Sequence, residues 1–232
     1  MPTLDEALPL ILASAPSSAS GALDPFEGLG AFASAVAALL DRQLNPSAWR
    51  PMIEALEEAG LLDPSRMERA GMPEIQEALR GKAQAPSPRT LAPMKQLAHW
   101  LVERHEGRAE VLREADRSTE ALREELASIR GIGPAGADAV VLAASGRATY
   151  PVDRGTYRIL VRHGWLDASS TYEEAREEMV HRAGDDPARL RDLAAGMSGL
   201  ASRFCRAAAP RCQACPLLPM LPEGGPIGTE SD

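Results

Sequence analysis

The chain has 232 residues, 44% hydrophobic and 25% charged, enough apolar material for one large domain or two smaller lobes. Alanine is abundant and aromatics make up only 4%, which favours helices over sheets. No run approaches the roughly 18 apolar residues of a membrane span, residues 1–20 lack a basic start before their apolar stretch, and the formal net charge is −8. These values exclude a membrane-spanning chain, point to a soluble cytoplasmic protein and leave a polyanionic partner only local patches to bind.

Residues 1–25 are rich in Ala, Ser and Pro around one short helical pattern and read as an arm. From Phe26 to Leu44 apolar residues recur at helical spacing (Phe32, Val36, Leu39, Leu40), and Pro46 opens a second helix through Trp49, Met52, Ile53 and Leu56 to Gly60. Asp63-Pro64 and Met72-Pro73 each open a short helix, and residues 83–88 form a loop. Leu91 to His105 is amphipathic. Ser118 or Thr119 caps a helix ending at Ser128, and Pro134 sits in the first turn of the next, whose Ala137, Val140, Val141 and Ala144 face inward. Tyr150 precedes a proline and is extended. Asp153 then starts a helix running to Gly164, followed by helices over 171–183 and 187–204. No strand pair emerges, so the predicted fold class is all-α.

Between the helices lies Ile129-Arg130-Gly131-Ile132-Gly133-Pro134, a glycine hairpin. Glycines let a backbone approach what side chains would block, and N–H groups at a helix start attract an anion, so a phosphate is the natural ligand. A tight helix–helix turn without a ligand is the plainer alternative. Charge is uneven around it. Arg147, Arg154, Arg158 and Arg162 face a single acid, Asp153, across residues 145–165, and Arg203, Arg206 and Arg211 have none across 201–217. The pattern fits a basic face as well as an ordinary solvated surface. The three cysteines, Cys205, Cys212 and Cys215, lie within eleven positions, which argues for metal or cluster ligation over a disulfide. Free thiols are the alternative.

The hairpin between two helices, the following Val152-Asp153 at a helix start and the spacing Cys205-x6-Cys212-x2-Cys215 together resemble the helix-hairpin-helix DNA glycosylases of the endonuclease III superfamily. Ala31–Leu56, with Gln43 at its centre, is similar to that family's first core helix pair, so the resemblance runs from about Phe26 to Cys215. It implies a two-lobed fold: residues 26–117 and 118–165 form the lobe with the hairpin, helix 26–44 packs with the second lobe, 166–217 complete that lobe with the cysteine loop, and 218–232 are a tail. It also implies base excision repair by a monomer acting on double-stranded DNA with a damaged, flipped-out base, with no membrane partner.

Residue by residue, the resemblance makes Asp153 the catalytic carboxylate, steadying positive charge on the sugar and orienting water. A plain N-cap role is the alternative, and the two are compatible. Gly131, Gly133 and Arg130 would hold a DNA phosphate, and Gln43 would fill the hole left by the extruded base or be only a loop residue. Tyr150, Trp49 and Trp100 could stack on a base, though spacing suits the two tryptophans to the core. The lysine of bifunctional members falls at Ala135, and the only lysines, Lys82 and Lys95, are far from the motif, so AP lyase activity is not expected. Gly155 replaces a histidine common in the family. A [4Fe–4S] cluster on Cys205, Cys212 and Cys215 is implied, but the fourth cysteine position is Leu221, leaving the fourth ligand unknown. Asp232, Glu223 and Glu230 are candidate oxygen donors. A degenerate member that binds bent or damaged DNA without cutting it is the rival reading.

Overall fold

Side-chain caps begin the helices where the sequence places cap residues. The computed structural model describes residues 2–15, 26–41, 46–82 and 86–228, without the side chains of 46–48. All regular elements among them are helical: α1 (Leu4–Ala13), α2 (Ala31–Leu40), α3 (Pro46–Glu58), α4 (Pro64–Arg69), α5 (Met72–Ala78), α6 (Pro88–His105), α7 (Thr119–Ser128), α8 (Gly133–Val140), α9 (Arg154–Arg162), α10 (Tyr172–Ala183) and α11 (Pro187–Arg203). Asp63, Ser87, Ser118, Asp153 and Thr171 each accept a backbone N–H at the start of their helices, satisfying one of the orphan donors there. No helix among the described residues is long and apolar enough to cross a membrane.

The chain divides into two compact units, Asp24–Arg147 and Met1–Leu23 with Ala148–Asp232. In the first, α2 is the central element: all ten of its residues are buried, and it packs on α3, α6 and α8. An Ala-rich helix with no polar face can serve only inside a core. Below it α7 packs along α8, which runs on into a single π turn, Val141–Ser145, closed by Gly146. In the second unit α11 packs against both α1 and α9.

Three features depart from the sequence expectation. The division falls after Arg147, not after residue 165. Helix α2 packs within the hairpin's own unit, against α8, whose residues from Gly136 to Val140 are all buried. The N-terminal segment contains a core helix: Leu4, Ala7, Leu8 and Ile11 are buried, and Thr3 with Glu6 forms a capping box.

Candidate functional site

The hairpin is built by alternation. Ile129 and Ile132 are buried, while Arg130 and Gly131 are exposed. Gly131 and Gly133 hold φ of +88° and +63°, conformations that cost an L side chain roughly 1–2 kcal/mol. The Ile132 N–H bonds the Ile129 carbonyl at 3.0 Å, and α8 starts immediately afterwards with Pro134 in its first turn. Ala135 is half-buried in that turn.

One partner of the hairpin was not anticipated from the sequence. Asp138, fully buried on α8, receives both the Nε and, at 3.0 Å, the Nη2 of Arg123 on α7. This buried fork clamps the two helices that carry the hairpin. The available signal was an acid inside the apolar stripe of α8 and an arginine between Leu122 and Leu126, both buried.

Asp153 lies in the other unit, half-buried, with Oδ1 accepting the Thr156 N–H at 2.6 Å as the N-cap of α9. Gly155, two residues on, is forced by packing. A Cβ there would stand 2.5 Å from the Ala201 Cβ on α11 and 3.3 Å from Asp153 Oδ1. No side chain, histidine included, fits that position beside this carboxylate. Tyr150 is completely buried, so it is no stacking platform, and burial pushes its hydroxyl's pKa upward, with the Asp153 charge acting in the same direction and Thr156 against it. Trp49 is 0% and Trp100 7% exposed, and both are core, with Phe26 stacked on Trp49 at 5.0 Å. Gln43 lies outside the described residues, as do Glu230 and Asp232.

Several arginines of the apparent basic face have internal duties. Arg147 donates to the carbonyls of Arg117 (2.8 Å) and Glu114, and Arg158 to that of Cys205 (2.7 Å). Arg162, 8% exposed, donates to the carbonyls of Arg206 (2.7 Å) and Ala207 (2.8 Å) and to Cys205 Sγ at 3.4 Å. Loop carbonyls have no partner in a helix ladder, and these guanidinium groups supply donors for them. Arg130, Arg154, Arg206 and Arg211 remain exposed. Lys95 caps the end of α4 through the carbonyls of Glu68 (2.9 Å) and Ala70.

The three cysteines line one pocket, together with Arg162, His163 and Leu221. Burial pushes the Cys215 thiol upward, and the other two cysteines add to this. Among the described residues no three His, Cys, Asp or Glu side chains meet as ligands of a single metal ion would. A cluster sets a different condition, since its thiolates bind separate irons and surround a cavity. Three thiols around one cavity, a guanidinium N–H aimed at one sulfur and an apolar remainder fit that group. Leu221 faces the same cavity without a donor atom, and Glu223 is exposed and absent from its lining.

No family model matches the chain. It is 31% identical over 124 residues to a protein of Methanocaldococcus jannaschii provisionally named a DNA repair glycosylase, covering 53% of this chain and 56% of that one. The chain thus spans little more than half the length of this curated relative. A trapped endonuclease III–DNA covalent intermediate superposes with a TM-score of 0.61 at 18% identity, over 95% of this chain and 96% of that one. The chain has the fold of the helix-hairpin-helix DNA glycosylases. A thermostable thymine-DNA glycosylase (TM-score 0.59, 15% identity, 90% of each chain) and the H. pylori 3-methyladenine DNA glycosylase bound to 1,N6-ethenoadenine (0.58, 16%, 86% and 96%) share the helix-hairpin-helix glycosylase fold.

Proposed function

We propose that the protein is a monofunctional DNA base glycosylase that hydrolyses the N-glycosidic bond of a damaged base flipped out of duplex DNA. The observation that carries the reading is a half-exposed carboxylate, Asp153, fixed at the start of α9 in a chain with the glycosylase fold. Cleaving the bond develops positive charge on the sugar. A carboxylate held by a backbone N–H stays in place to stabilise that charge and to orient the attacking water. Exposed Arg130 and the N-terminus of α8 suit a DNA phosphate.

Ala135, where the bifunctional members carry a lysine, has no amine for a Schiff base. Borohydride is therefore expected to trap no covalent complex between this protein and abasic-site DNA, and efficient trapping would mean that another amine serves. A [4Fe–4S] cluster bound by Cys205, Cys212 and Cys215 would cross-link the loop after α11 that carries Arg206 and Arg211, and so stiffen it.

The test is a panel of duplex oligonucleotides, each with one damaged or mismatched base. Release of at least one base type, reduced by about 10²-fold or more in Asp153→Asn, is the expected result. Binding without release across the panel would instead make the protein a catalytically degenerate module that recognises bent or damaged DNA.

A further inference from the structure

We infer that His163 supplies the fourth protein ligand of an iron–sulfur cluster held by Cys205, Cys212 and Cys215. The inference rests on the cluster reading above. Three thiolates leave one iron of a four-iron cluster without a protein ligand. Leu221, at the position of the missing cysteine, lines the pocket but has no lone pair to give. Of the ten residues lining the pocket, His163 alone, apart from the cysteines, has a side chain able to donate to a metal. Arg162 is a cation with donors only, and the rest are apolar.

The ring is already set for that task. His163 is 5% exposed at the C-terminal cap of α9, and Trp165 stacks on it with centroids 4.5 Å apart and planes 17° from parallel. Its Nδ1 stands 3.1 Å from the carbonyl oxygen of Met220. A carbonyl only accepts, so Nδ1 carries the hydrogen and Nε2 keeps its lone pair. This is the tautomer a ligating imidazole needs, and a backbone carbonyl is a usual partner for the other ring N–H. The carbonyl belongs to the residue immediately before Leu221, so the loop segment that lacks the cysteine is the one that orients the histidine. The chain then folds back, with the Ile227 N–H on the Arg162 carbonyl at 2.9 Å and Pro226 against the pocket.

The full chain, grown with ¹⁵N-histidine and loaded anaerobically with ferrous iron and sulfide, tests this. Iron and sulfide analysis is expected to give about four of each per chain. Pulsed EPR of the reduced cluster is expected to show the hyperfine coupling of a directly bound nitrogen, altered by the isotope and lost in His163→Ala. Leu221→Cys, which leaves His163 and its support in place, is expected to lose the coupling too and to lower the reduction potential, because a thiolate replaces an imidazole. A loaded cluster without nitrogen coupling, or coupling that persists in His163→Ala, overturns the role of His163 and leaves the three-cysteine cluster standing. A chain that takes up no iron overturns both.

Discussion

An aspartate that only caps a helix and one that also serves a reaction differ in what asparagine can replace. Asn caps as well as Asp, so at position 153 it keeps the 2.6 Å bond from the Thr156 N–H and removes the charge. Asp153→Asn is therefore expected to unfold within about 0.5 kcal/mol of the native chain while losing base release, and Asp153→Ala to lose release and about 1 kcal/mol besides. Urea titrations alongside the release assay check this. Activity loss in both variants that merely tracks stability would reduce Asp153 to a cap. The cap itself was legible in the sequence, because it depends on residues three apart. The reason for Gly155 was not: it lies in the 2.5 Å approach of Ala201, from a helix more than thirty residues later.

The helix pair around the hairpin depends on a contact of the same non-local kind. The Arg123–Asp138 fork joins α7 to α8 with side-chain exposures of 8% and 0%. Removing one partner leaves an uncompensated buried charge, so Arg123→Met is expected to cost about 3–5 kcal/mol. Replacing both, Arg123→Met with Asp138→Leu, is expected to restore most of that, since the desolvation of two charges is removed together. A double-mutant cycle in urea measures it, and a double variant as unstable as the single would mean the pair is not a closed unit. Sequence pattern located both helices, the Ser118 cap of α7, Pro134 in the first turn of α8 and the inward-facing alanines and valines. It gave no way to see that α8's buried acid has its counter-charge on α7, or that Arg147, Arg158 and Arg162 donate to loop carbonyls instead of facing solvent. Charge counted along a chain records the residue and not the acceptor it meets.

For the whole molecule, the decisive fact is that one unit is discontinuous, with Met1–Leu23 folding together with Ala148–Asp232. Helix α1 lies so close to α11 that a Cβ at Gly196 would sit 2.3 Å from the Ile11 carbonyl oxygen, a backbone atom that cannot swing aside. Gly196→Ala is therefore expected to destabilise by about 1–3 kcal/mol, the usual cost of overpacking. Gly199, one turn along the same helix, makes the control. Its added Cβ would come nearest to the Arg203 guanidinium, at 3.2 Å, and that flexible end can move. Gly199→Ala is expected to be neutral or to stabilise by up to about 1 kcal/mol through helix propensity. Deleting residues 1–15 removes buried Leu4, Leu8 and Ile11, each worth about 1.5–3 kcal/mol, against a total stability of about 5–15 kcal/mol for an ordinary domain. The truncated chain should lose the fold of this unit, and with it the frame around Asp153 and the cysteine pocket, as read by thermal melting and base release together. A truncation that melts like the full chain would mean that α1 contributes nothing to the unit, and the arm read from the sequence would then describe it better.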